Sequence, residues 1–322
     1  EDEREADFSY YAPGIGRFRT NVFQQRGEFC FAMRHVKTRV PSFEELGLPD
    51  ILKQIAETQR GIVIVAGPSG CGKSTTLAAM IEHINANFKK HIITLEDPIE
   101  YLFEDNQSVI EQREIGLDTA SYHHALKHVL RQDPDVIMVG ETRDPETAQA
   151  AIRAALTGHL VFSTLHTNDA AGAVSRLLDM GIEPFLVASS VEGLIAQRLV
   201  RVLCPDCKVP FTLSPEVLNR LRVNKLDTAD AQFMRPAGCE KCRYTGFRGR
   251  TAIYEIIKVT EDLKQMIVAR RPSNEIKQAA IASGMRTIRE DGWLKVRAGL
   301  TTIDEVLRVT MEDEFGGVGN DE

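Results

Sequence analysis

The chain has 322 residues, 43% hydrophobic and 26% charged, with a formal net charge of −7 and six cysteines. That length suits about two globular domains with a sizeable core, and no apolar run approaches the roughly twenty residues of a membrane span. The acidic balance argues against a main affinity for phosphate backbones, and cysteines behind an acidic opening predict a cytosolic chain with thiols or a metal site rather than disulfides.

Residues 1–7 read as an acidic tail, followed by turn punctuation in Tyr10-Tyr-Ala-Pro-Gly-Ile-Gly16. Phe18, Thr20 and Val22 alternate along residues 17–23, and residues 28–34 form a second strand-like run after a turn at Arg26-Gly27, which predicts a two-stranded hairpin. Two strands are too few to stand alone. The expectation is therefore that they belong to a domain whose first half is absent, the alternative being that they pack on the next domain. Ser42 and Glu45 match a capping box, and a helix is predicted over residues 50–58. From residue 61 to about 198, apolar strands alternate with amphipathic helices, the pattern of a mostly parallel sheet covered on both faces. Strands are predicted at 62–66, 91–95, 136–139 and 160–164, with helices near 74–85, 120–131, 145–156 and 170–179. Past residue 201 two cysteine pairs flank a polar stretch, a short strand follows at 252–257, and short helices broken at Pro272 and Gly284 run to about 309. The last residues, 312–322, are acidic, glycine-rich and too poor in apolar side chains to fold.

The stretch that organises the chain is Gly67-Pro68-Ser69-Gly70-Cys71-Gly72-Lys73-Ser74-Thr75, set between a strand and a helix. Its G-x4-G-K-S spacing lets backbone N–H groups turn inward around phosphate oxygens, with Lys73 reaching the β and γ phosphates of a nucleotide and Ser74 offering a hydroxyl to magnesium. The following helix adds its N-terminal partial charge to the same anion. In an open α/β sheet, ligands sit beyond the carboxyl ends of the strands, so Glu96-Asp97, Gly140-Glu141 and Leu165-His166 are expected at the phosphate loop.

Among those acids, Glu141 is the predicted base or water-positioning group, against the blander reading of a solvated acid after a strand. The cluster Glu96-Asp97-Pro-Ile-Glu100 offers carboxylates to magnesium-bound waters. His159 and His166 bracket one strand, so one senses the γ-phosphate or both merely cap strand ends. His124 and His128, an i, i+4 pair without a nearby third ligand, read as surface. Cys204, Cys207, Cys239 and Cys242 form C-x2-C-x31-C-x2-C, a spacing that brings four thiolates to one structural zinc. Arg17, Arg19, Arg26 and Arg34 crowd the hairpin, either as a solvated face or as guanidinium groups delivered to a transferring phosphoryl group.

Together, the phosphate loop, Thr94-Leu-Glu-Asp-Pro-Ile-Glu100, the run from Arg131-Gln-Asp-Pro-Asp to Val-Gly-Glu141-Thr-Arg-Asp144, and Thr157-Gly-His to Leu-His166-Thr-Asn168 resemble the secretion ATPases of type IV pilus and type II secretion machines. The resemblance covers residues 13–309. It implies an α/β, RecA-type P-loop NTPase core at 42–200, with residues 1–41 as a remnant of an N-terminal PAS-like domain. A zinc module at 201–250, a C-terminal helical region at 251–310 and a disordered tail at 311–322 complete the expected organisation. It also implies a cytoplasmic homo-hexamer, peripheral to the inner membrane, that hydrolyses ATP with Mg2+ to drive an inner-membrane platform protein. By resemblance Glu141 is the catalytic glutamate, Glu100 an acid near magnesium, His159 and His166 the box histidines, and Arg19 and Arg34 the phosphate-reaching arginines. The hairpin region resembles the pilus retraction ATPases, whereas the tetracysteine module and residues 284–309 resemble assembly and secretion ATPases; extension or secretion is the expected direction. A nucleic-acid-translocating motor on the same core is the competing class, with the cysteine module as a nucleic-acid ribbon.

Overall fold

The computed structural model describes residues 4–212 and 231–310. The predicted acidic tail at 311–322 lies outside them, as does much of the segment between the cysteine pairs.

In chain order, strands β1 (Glu5–Ala12), β2 (Gly16–Gln25) and β3 (Glu28–His35) precede short helices α1 (Phe43–Leu46) and α2 (Ile51–Ala56). Then come β4 (Gly61–Ala66), α3 (Lys73–Asn87), β5 (His91–Glu96), β6 (Val109–Glu114), α4 (Tyr122–Val129), β7 (Val136–Val139), α5 (Pro145–Leu156) and β8 (Leu160–Leu165). Helices α6 (Ala170–Asp179) and α7 (Pro184–Ser190) lead into the long strand β9 (Val191–Leu203) and the short strands β10 (Val209–Pro210) and β11 (Met234–Arg235). After β12 (Phe247–Lys258), helices α8 (Glu261–Val268), α9 (Ser273–Ala282), α10 (Ile288–Arg297) and α11 (Ile303–Thr310) complete the described chain.

The chain divides into two compact units, 1–63 with 74–164 and 64–73 with 165–322. In the first, strands run in the order β4-β8-β7-β5-β6, and β8, β7, β5 and β6 pair in parallel. Every residue of β4, β7 and β8 is buried, as expected for strands covered on both faces, whereas the edge strand β6 alternates exposed and covered positions. The predicted α/β class and the four predicted strands are borne out. In the second unit the order is β12-β9-β4, with β9 and β12 antiparallel.

The first unit also carries β1-β2-β3, an antiparallel sheet of three strands rather than the predicted two. Glu5 to Ala12 is not a tail: from Ala6 onward, Phe8 and Tyr10 alternate with Asp7 and Ser9, and Phe8 faces Thr20 while Ser9 faces Arg19. The charges of the first seven residues masked that period-two pattern. Ser42 caps α1 as predicted, with its hydroxyl accepting from Glu45 N while the Glu45 carboxylate accepts from Ser42 N at 3.0 Å.

In the second unit the C-terminal helices are tied to β9 by one carboxylate. Glu305 on α11 is 2% exposed and accepts from Arg201 N at 3.0 Å, Arg201 Nη2 at 2.6 Å and Arg308 Nη2 at 2.9 Å. Burial opposes its charge, yet the Arg201 and Arg308 guanidinium groups bring its pKa down to about 2. A depressed carboxylate stabilises the fold above its unfolded pKa and loses that contribution as pH falls through the folded one. Glu305→Ala is therefore expected to cost about 3 kcal/mol at neutral pH. In chemical denaturation, that deficit should shrink as the pH drops from about 5 towards 2.

Candidate nucleotide site and four-cysteine centre

In the second unit, β4 runs directly into the phosphate loop. Gly67, Gly70 and Gly72 adopt φ of 147°, 75° and 94°, the region in which a side chain is strained. A Cβ at Gly67 would stand 2.6 Å from Cys71 Sγ and 2.7 Å from the Gln197 carbonyl, so no other residue fits there. Lys73 is 9% exposed, and its Nζ donates to the carbonyls of Gly67 at 2.8 Å and Pro68 at 3.1 Å, which sets the ammonium inside the loop. Cys71 is buried, and burial pushes its thiol pKa up against the opposing fields of Lys73 and Arg198. It is a packed side chain. Helix α3 begins at Lys73, and Ser74 in its first turn is exposed.

In the first unit, the acids lie at the carboxyl ends of parallel strands. Glu96 closes β5 and is 7% exposed; burial raises its pKa against hydrogen bonds from Thr94 Oγ1 at 2.7 Å and Gln112 Nε2 at 3.0 Å. Glu100 is exposed, and its backbone N–H lies 3.4 Å from Glu96 Oε2, so the buried acid of the box is Glu96 and the solvent-facing one Glu100. Two residues past β7, Glu141 Oε1 accepts from Arg143 Nε at 2.7 Å. Asp144 then caps α5 through Thr147 N at 2.8 Å, and Ser121 caps α4 through His124 N at 3.1 Å. These caps aim two helix starts at one cleft of about 550 Å³, lined by Asp97, Tyr122, His123, Glu141, Arg143 and Glu146 among others. The Tyr122 phenol pKa is raised by burial and then by Asp97, Glu141 and Glu96, so it stays a neutral donor among carboxylates. A Cβ at Gly140 would stand 3.0 Å from that hydroxyl, which accounts for glycine before Glu141.

His159 is not brought to Glu141. It precedes β8, at the amino end of that strand, where its Nδ1 lies 2.9 Å from the Ala154 carbonyl and 3.2 Å from Thr157 Oγ1, whereas Glu141 follows the carboxyl end of the parallel neighbour β7. His166 follows β8 and is exposed. Thr75 Oγ1 lies 2.9 Å from Tyr101 Oη, which also accepts from Lys37 Nζ at 3.0 Å. Arg19 and Arg34 are direct cross-strand partners, both exposed, and neither makes an ion pair among the described residues. Arg17, on the same face, instead donates to buried Glu114 at 3.1 Å.

The four sulfurs of Cys204, Cys207, Cys239 and Cys242 lie within 4.8 Å of one another, the only such metal-ligating group among the described residues. Neighbouring pairs stand at 3.8–3.9 Å. With metal–sulfur bonds of about 2.3 Å, a tetrahedron requires sulfurs about 3.8 Å apart, so the donor set fits a four-thiolate ion. Backbone N–H groups of Cys239 and Gly246 point at Cys242 Sγ, each at 3.2 Å, and lower its pKa against burial, as a thiolate ligand needs. His124 and His128 are exposed neighbours, their rings tilted at 48° with centroids 4.8 Å apart, and have no third ligand among the described residues.

The model of the family described as type II/IV secretion system protein matches residues 17–308. The chain belongs to that family. Type II secretion system protein E of Aeromonas hydrophila is 46% identical over 264 residues, 82% of this chain and 51% of that protein. Type IV pilus assembly ATPase PilB of Thermus thermophilus is 43% identical over 277 residues, 85% of this chain and 31% of that protein. A crystal structure of the pilus retraction motor PilT with bound ADP superposes with a TM-score of 0.76 at 35% identity, covering 95% of this chain and 77% of that one. The chain thus spans about half the length of the curated type II relatives it matches. No helix among the described residues is long and apolar enough to cross a membrane.

The sequence reading missed Tyr122, which lines the cleft beside Glu141 in the first unit, and buried Gln197 and Arg198, which hold loops of the second; the signal for the last two was a polar pair inside the apolar run of β9.

Proposed function

We propose that the chain is the motor ATPase of a type II secretion or type IV pilus assembly machine. The observation that carries this is the phosphate loop, with three glycines at positive φ and a buried ammonium held among its own carbonyls at the start of a helix. In this reading the loop N–H groups and Lys73 hold the β and γ phosphates of ATP, and the Ser74 hydroxyl takes the magnesium ion, with Thr75 beside it. Magnesium supplies charge neutralisation on the phosphates. Glu141 orients and deprotonates the attacking water, Glu100 faces magnesium-bound water, and Arg19 and Arg34 meet the phosphates as a guanidinium pair. His166 is the phosphate-sensing histidine, while His159 secures the end of α5.

Zinc at Cys204, Cys207, Cys239 and Cys242 has a structural part, since four thiolates leave no open position for water. The functional division follows the sequence: 1–41 as part of a PAS-like domain, 42–200 as the ATPase domain, 201–250 as the zinc module and 251–310 as the C-terminal helical region. The working form is a homo-hexamer at the cytoplasmic side of the inner membrane, turning a platform protein and touching the membrane only through partners, with no nucleic acid among them. Magnesium-dependent turnover by a purified species of hexameric mass tests the motor; a monomer that binds nucleotide without turnover would defeat it. Single-stranded DNA that stimulates turnover in a salt-sensitive way would favour the nucleic-acid motor instead.

Pilus retraction is the second reading, favoured by the likeness to the PilT structure. The higher identity to secretion and assembly relatives supports extension or secretion. In the source organism, deletion is expected to abolish pili or secretion. Cells left covered in pili that cannot retract would reverse the direction.

A further inference from the structure

Gln197 and Arg198 are successive residues of β9, so their side chains leave opposite faces of the strand. Gln197 is fully buried, and its Nε2 donates to the Cys71 carbonyl, inside the phosphate loop, at 2.8 Å. Its backbone carbonyl lies 2.7 Å from the place a Cβ would take at Gly67, and its Nε2 lies 3.1 Å from the place a Cβ would take at Gly72. One residue of β9 therefore bonds the loop once and closes the space beside two of its glycines. In a trans peptide the N–H lies opposite the C=O, so pinning the Cys71 carbonyl fixes the direction of the Gly72 N–H, one of the donors that a phosphate would meet.

Arg198 reaches the other loop of the same unit. It is 7% exposed, and its Nη2 donates to the Asn168 carbonyl at 2.7 Å while Nη1 donates to the Gln197 carbonyl at 3.2 Å. The next residues of that loop are also held from the C-terminal side. Lys277 on α9 lies 3.2 Å from Asp169 and 3.0 Å from buried Glu255 of β12, which accepts from Ala170 N at 3.0 Å.

We propose that Gln197 and Arg198 form a brace that sets the phosphate loop and the loop after β8 in one arrangement for nucleotide. Both are positioning residues, acting through Cys71 and Asn168. The same strand ends at Leu203, next to Cys204. This inference rests on the ATPase reading.

Gln197→Met keeps the side-chain length and removes the donor. It is expected to weaken ADP binding about tenfold, the scale of one buried hydrogen bond, with the loss falling on the KM for ATP more than on kcat. Gln197→Glu, which sets a carboxylate against a carbonyl, is expected to weaken binding further. Melting temperature and the metal content of the cysteine centre establish that the variants fold. Parent-like ADP affinity in folded Gln197→Met would overturn the brace. In the parent protein, Mg-ADP is expected to slow amide exchange over 67–73 and 165–170 together, and protection confined to 67–73 would also overturn it. Absence of ADP binding by the parent protein would remove the ATPase reading and the brace with it.

Discussion

Glu141→Gln is expected to retain nucleotide while losing turnover by roughly 10²- to 10⁴-fold, the usual contribution of a positioned acid or base. The substitution keeps size and hydrogen bonding but removes the negative charge that follows β7 and that Arg143 Nε holds at 2.7 Å. Binding survives because Glu141 is not among the groups assigned to hold the phosphates. Lys73→Ala has the complementary outcome. It deletes the buried ammonium that donates to Gly67 and Pro68, so nucleotide binding itself should fall below detection. Calorimetry with ADP and a phosphate-release assay separate the two phenotypes. Normal hydrolysis by Glu141→Gln would move the catalytic assignment to another acid, with buried Glu96 next in line.

The second large effect is expected at the cysteines. Elemental analysis should find one zinc per chain, and Cys204→Ser or exhaustive chelation should remove it. Structural zinc contributes roughly 10–16 kcal/mol of binding in small modules, so the surrounding fold should melt far earlier without it. Without the ion, Cys204 Sγ would face the Asp206 carboxylate and the Cys239 thiol, each at 3.9 Å, and Cys242 Sγ would keep only the N–H groups of Cys239 and Gly246 and its thiol neighbours. ADP binding should persist, because no cysteine of the centre belongs to the phosphate loop. A metal-free chain melting with the parent protein would contradict the assignment.

The parts of the fold legible in the sequence were those with one dominant signal. The apolar runs of β4, β7 and β8 could be buried only on both faces, and helix α5 was bounded by Asp144 and Pro145 at its start. Strand β6 escaped because Val109-Ile-Glu-Gln-Arg-Glu114 is polar enough for a sheet edge and carries no turn residue of its own. Strand β9 escaped altogether, because α7 passes into it at Ser190-Val191 with no glycine or proline between. Spacing singled out the loop, Glu141 and the cysteines as candidates. It could not name Tyr122 or Gln197, whose places depend on tertiary approach: a phenol over Gly140 and an amide against Cys71.

Arg19 and Arg34 face each other across β2 and β3 with no ion pair among the described residues. Like charges placed directly opposite destabilise a sheet, and their repulsion fades as the screening length falls from about 10 Å at 0.1 M salt to about 3 Å at 1 M. Most ion-paired surfaces loosen as salt is added. The Arg19–Arg34 pair should respond the other way: ionic strength or a polyvalent anion relieves the repulsion written into its register, and β2 and β3 around these two residues should become more resistant to proteolysis as the buffer becomes more concentrated.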